Sequence, residues 1–136
     1  MKTSLLTGAA LDWAVAQCEE LNPMLSSSFE EGCVEGLAGY PFVYLHEPMK
    51  HNIAAPAFYT GYVPSASWWI GGAIIEREEI TVEYAGVWLG RCWKDSDGEE
   101  QIQIEGETPL IAAMRCYVAS KFGYEIEVPE ELINYA

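Results

Sequence analysis

Leu11, Ala14, Val15, Cys18 and Leu21 recur at steps of three and four residues. That spacing gathers side chains on one face of an α-helix. It predicts a helix from about Gly8 to Leu21, with Thr7 placed to cap it and Asn22-Pro23 to end it. Trp13 lies off the stripe, available either to a neighbouring element or to a partner. A second helix is marked more strongly. Thr108 suits the N-cap, Pro109 the first helical position and Gly123 the C-terminal stop. Leu110, Ile111, Met114, Tyr117, Val118 and the stem of Lys121 line one of its sides.

Alternation of apolar and polar residues marks the strands. Phe42 to Leu45 is a short apolar run after Pro41, and Ile80 to Tyr84 alternates as a half-buried strand does. Val87 to Trp93 and Gln101 to Glu105 read as two further strands joined by a hairpin at Asp95-Ser96-Asp97-Gly98. These three consecutive runs predict an antiparallel meander. Residues 22–39 and Glu47 to Ser67 read as irregular, the latter rich in Pro, Gly and aromatics. Ala73 to Glu79 fits either one helical turn or an extended segment. Tyr124 to Val128 alternates like a short strand, and Pro129 to Leu132 reads as a last helical turn. No repeat or linker divides the chain. The expected architecture is one α+β domain over residues 1–136, an antiparallel sheet of three to five strands packed against two helices.

Composition narrows the function. Of 136 residues, 21 are Asp or Glu and 7 are Lys or Arg, a net charge of -14. A protein that coats nucleic-acid phosphates needs the opposite balance, so direct nucleic-acid binding is excluded as a general role. The acids are spread along the whole chain, so the sequence marks out no acidic tail. The start, Met1 to Leu6, briefly resembles a leader, but Asp12 interrupts the apolar stretch and Gln17 precedes Cys18 where a lipoprotein site needs a small residue. No run approaches the length of a membrane helix. A cytoplasmic protein that does not engage membranes is expected. Cys18, Cys33, Cys92 and Cys116 form no C-x-x-C pair, and are read as reduced thiols serving as small hydrophobes.

Several segments together carry a resemblance. Leu6-Thr7-Gly8-Ala9-Ala10-Leu11-Asp12-Trp13-Ala14-Val15-Ala16, Gly71-Gly72-Ala73-Ile74-Ile75-Glu76-Arg77-Glu78, and Thr108 through Lys121 resemble the opening, middle and C-terminal signatures of the NinX-like family of small phage proteins. The resemblance continues through Val128-Pro129-Glu130-Glu131-Leu132. Family members often carry Asp before the middle Trp and Pro after the Gly pair, where this chain has Ser67 and Ala73. The resemblance implies origin in a tailed phage or prophage and expression inside a bacterium. It implies no agreed biochemical activity.

Candidate chemistry is sparse. His46 and His51 lack the spacing of a metal motif, and Gly71-Gly72 lacks the Lys of a phosphate loop. Cys33 sits among glutamates that oppose a thiolate. Adjacent acids such as Glu30-Glu31 and Glu78-Glu79 fit a solvated surface. No metal and no cofactor is expected, and the chain is read as a non-enzyme. The informative cluster is aromatic. Tyr59, Tyr62, Trp68 and Trp69 fall close together, with Arg77 and Arg91 downstream and His51 and Asn52 upstream. Aromatic faces stack on bases and arginines hold phosphates, so these eight residues are the candidate ligand site. Two adjacent tryptophans on a strand would face opposite sides, one inward and one free. Arg115 lies one position off its helix stripe, suited to a salt bridge or to lining a pocket.

Two functions follow. The first is a phage accessory protein that counters host defence by sequestering a small anionic or nucleotide-like ligand. The alternative is an acidic inhibitor that binds a host protein directly, as a possible DNA mimic. Five Trp and eight Tyr exceed what one small core needs, so a homo-oligomer is expected.

Overall fold

Thr108 accepts a hydrogen bond on Oγ1 from the Ile111 amide at 3.1 Å, and Pro109 follows it at the first position of the longest of the described helices. The structure, a computed structural model, describes residues 1–25, 43–47, 58–94 and 100–133. After a 3-10 turn at Thr3–Leu5 come α1 (Gly8–Cys18), β1 (Met24–Leu25), β2 (Val43–Glu47), β3 (Phe58–Gly61) and α2 (Trp68–Arg77). Then follow β4 (Thr81–Tyr84), β5 (Trp88–Trp93), β6 (Gln101–Gly106), α3 (Pro109–Phe122) and the short α4 (Glu130–Ile133). The class is α+β, as expected. The strands form two three-stranded antiparallel sheets, β1-β2-β3 and β4-β5-β6.

The meander β4-β5-β6 forms in the register that its alternation implies. Gly90 pairs with Ile104 and Cys92 with Ile102. Ile102 and Ile104 are buried, while Gln101, Gln103 and Glu105 are exposed. Helix α3 lies on the buried face at unusually close range. A Cβ on Gly90 would stand 2.6 Å from the Ala112 carbonyl oxygen, and one on Gly106 would meet the Ala112 backbone too. These two glycines let the helix axis approach the strands, which a side chain at either position would prevent. The helix α1 packs Leu11, Ala14 and Val15 into the same buried cluster as Met114, Val118 and Ile102.

Several expectations change. Thr7 occupies the N-cap of α1 with extended backbone, but its side chain makes no capping bond. The stretch from Glu47 to Ser67, read as irregular, contains β3, whose Tyr59 pairs with His46 across the backbone. Of Ala73 to Glu79, which fits either one helical turn or an extended segment, Ala73 to Arg77 completes a full helix, α2, that already begins at Trp68. Tyr124 to Val128 is not a strand; Glu125 makes one bridge to Lys2, and the Ile126 amide donates to the Met1 carbonyl at 2.9 Å. The Asp95–Gly98 turn and Cys33 lie outside the described residues. Among the described residues no helix is long and apolar enough to cross a membrane.

Candidate functional site

The turn before α2 is held from a distance. Asp12, on α1, accepts the Ser65 amide on its carboxylate at 2.8 Å. The carboxyl is buried, and burial pushes its pKa up to about 6 against the pull of the Ser65 hydrogen bonds. The chain then enters α2 through Ser67, which makes no side-chain cap bond. Gly71 permits the docking of α2, because a Cβ there would lie 2.7 Å from Leu110 Cδ2 and would also collide with the Pro64 carbonyl.

This docking leaves the tryptophans outside. Trp68 is 58 % exposed and Trp69 is 91 % exposed. The expectation that one would be buried rested on a strand; on a helix, adjacent residues point about 100° apart, and both face solvent here. Ile74 supplies the buried side of α2.

The other candidates do not join them. Tyr62 is only 6 % exposed and sits in the core cluster, so it cannot present a stacking face. Burial, aided by the Glu19 and Asp12 charges, raises its phenol pKa. Arg77 lies eight residues beyond Trp69, about 12 Å along the helix axis and roughly 80° round it. Its Nη2 contacts Glu19 Oε2 at 2.8 Å and donates to the Tyr117 hydroxyl at 3.2 Å, while that hydroxyl donates to the same carboxylate at 2.9 Å. The Glu19 hydrogen bond raises the Arg77 pKa further. Arg91 sits on the sheet face away from α3, bonded to Glu83 and, at 2.8 Å, to Gln103 Oε1. For Tyr59 only the backbone is described, and His51 and Asn52 lie outside the described residues.

A groove of about 500 Å³ opens elsewhere, beside the edge of β6 that pairs with none of the described strands, with Ser4 and Tyr124 on its walls. Arg115 forms part of its lining and is only 6 % exposed. Its Nε donates to the Leu6 carbonyl at 2.7 Å, its Nη1 to the Glu105 carbonyl at 2.9 Å, and its Nη2 lies 3.3 Å from Glu107. Both roles considered for Arg115 from its position on the helix are therefore met: it lines a pocket and it is paired. Glu105 and Glu107 also line the groove, so its lining holds two carboxylates against one guanidinium. Among the described residues, no group of three or more His, Cys, Asp or Glu could hold a metal ion.

Arg77, Arg91, Lys94, Arg115 and Lys121 each lie within 4.0 Å of a carboxylate. An anion binding at any of them must compete with a carboxylate already in place. The exposed tryptophans stand apart from these pairs, on a helix whose opposite side is fixed. A family model described as "Bacteriophage P22, NinX" matches residues 2–121. The chain belongs to the NinX family of phage proteins. Comparison with curated proteins gives no match. The NinX match takes in α1, α2 and almost all of α3, and so includes Asp12, the Trp68-Trp69 pair and Arg115.

Proposed function

We propose that this NinX-family protein is a non-enzymatic phage accessory protein. It acts in the host cytoplasm by binding a basic host protein through the exposed tryptophan face of α2. The carrying observation is the pairing of two exposed tryptophans on an anchored helix with nearby cations already committed to carboxylates. A nucleotide sponge needs aromatic faces and available positive charge in one pocket. Here the aromatic face and the available charge are separated. Protein interfaces instead favour tryptophan at their centre, where its large apolar area is removed from water. The net charge of -14 points to a basic partner, drawn in by long-range attraction. The same charge opposes face-to-face association of two copies of the chain. Interference with a host defence protein is the role that fits a phage accessory protein of this kind.

The test places a photo-crosslinking residue at position 69, and separately at the exposed control position 127, in protein made during infection. The expected result is a conjugate from position 69 alone, with a basic protein, that weakens as salt is raised. A conjugate with a second copy of the chain, equal labelling from both positions, or no conjugate at 69 would overturn the proposal.

A further inference from the structure

Cys92 on β5 and Cys116 on α3 are both free thiols, both buried, and their sulfurs lie 2.7 Å apart. Carbon atoms in optimal contact stand about 3.5–4.0 Å apart, and sulfur is larger. The two sulfurs are thus already inside ordinary contact, on the way to the ~2.05 Å of a disulfide. The fold explains the approach. Gly90 lets the Ala112 backbone settle against β5. Two residues further along the strand is Cys92, an advance of roughly 6.6 Å. One helical turn beyond Ala112 is Cys116, an advance of about 6 Å. The two steps match, so the close approach at Gly90 is carried to the cysteine pair.

We propose that Cys92 and Cys116 form a redox site that a hydroperoxide converts to a reversible disulfide between β5 and α3. The two thiols are chemically unequal. The two thiols share a hydrogen bond, and this contact lowers the Cys92 pKa and raises that of Cys116. Cys92 is therefore the attacking group and Cys116 the resolving one. Cys92 also lines a small opening of about 40 Å³, with Ser120, Glu78, Tyr117 and Trp93 around it. That volume suits a peroxide and excludes bulky disulfide reagents. Cys18 is a poor competitor, since burial pushes its thiol up to about 12.

In the first step the Cys92 thiolate attacks one peroxide oxygen and the O–O bond breaks. Cys92 becomes a sulfenic acid, and the departing hydroxide takes a proton to leave as water. In the second, the Cys116 sulfur attacks the Cys92 sulfur, the S–O bond breaks, and the hydroxide leaves as water with the thiol proton. Two thiols lose two electrons in all, and one hydrogen peroxide is reduced to two waters.

The experiment treats the full chain with hydrogen peroxide, alkylates it under denaturing conditions and digests it with trypsin. Cleavage after Arg91, Lys94, Arg115 and Lys121 isolates the two cysteines in separate short peptides. The expected product joins Cys92–Lys94 to Cys116–Lys121, disappears on treatment with dithiothreitol, and accompanies a rise in Tm of roughly 10 °C. A Cys18→Ser/Cys33→Ser variant should give the same product. Full alkylation of both cysteines after peroxide would overturn the proposal, as would linkage to Cys18 or Cys33, or a sulfinic acid at Cys92 with Cys116 still reduced.

Discussion

Helices α2 and α3 are built from similarly apolar sequence and used in opposite ways. Ten of the fourteen residues of α3 are buried, against two of the ten in α2. The α3 helix is enclosed by the meander on one side and by α1 on another, so its apolar residues are accounted for by packing. The α2 helix begins with Trp68-Trp69 and continues through Ile70, Ile74 and Ile75; only Gly71 and Ile74 are fully buried, Ile70 and Ile75 pack partly against the core, and both tryptophans stay outside. Apolar surface that folding does not use is informative when it is large, adjacent and rigidly mounted. The comparison separates a helix that stabilises the protein from one that displays a surface.

The first way to break the comparison is to cut the core beneath α3. Met114 has no exposed surface, and Met114→Ala should lower stability by about 3 kcal/mol through the cavity it leaves. Urea unfolding should show a lower midpoint with an unchanged slope. A loss below about 1 kcal/mol would mean that α3 is not the core element described here.

Asp12 offers the next largest effect, with a sign that depends on pH. Its folded pKa of about 6 lies above the ordinary aspartate value of 3.8. The folded state therefore binds this proton more tightly than the unfolded state does. The resulting stabilisation is complete below about pH 4 and is lost as pH rises through about 6. Asp12→Asn keeps an oxygen to accept the Ser65 amide and removes the ionisation. Relative to wild type it should gain about 2–3 kcal/mol between pH 4 and pH 7. Parallel stability curves for the two proteins across that range would contradict the buried charge.

Arg77→Gln should do less. The arginine is half exposed, and its pair with Glu19 is screened by solvent, so a loss of about 0.5–1 kcal/mol is expected, diminishing in high salt. The smallest stability effect belongs to the tryptophans. Trp68→Ala/Trp69→Ala should shift unfolding by no more than about 0.5 kcal/mol, because both side chains already face water. A loss above about 2 kcal/mol would place them in the core instead.

What could be read in advance divides along similar lines. Helix α3 was legible because its signals are local: the Thr108 cap, Pro109 and Gly123 mark its ends. The β5–β6 pair was legible because Ile102 and Ile104 alternate with glutamines. Helix α2 was obscured because Gly71-Gly72 looks like a turn, while Gly71 serves a tertiary contact with Pro64 and Leu110. The candidate site was gathered by nearness in sequence. A helix carries Arg77 away from Trp69, a strand turns Arg91 to the other face of its sheet, and Tyr62 goes inward. In the sequence Asp12 shows as a break in an apolar run and as part of the NinX-like opening segment, while its partner Ser65 lies 53 positions away. The Cys92–Cys116 contact likewise depends on how closely α3 sits on β5, which no single segment encodes.

The most direct measurement is native mass spectrometry on tagged wild-type and Trp68→Ala/Trp69→Ala proteins, recovered gently from infected bacteria. The expected wild-type spectrum shows the chain carrying a protein-sized mass. The double variant, equally stable, should carry it at least about 30-fold more weakly. An adduct of a few hundred daltons retained by both proteins would contradict the reading of α2 as the partner-binding face.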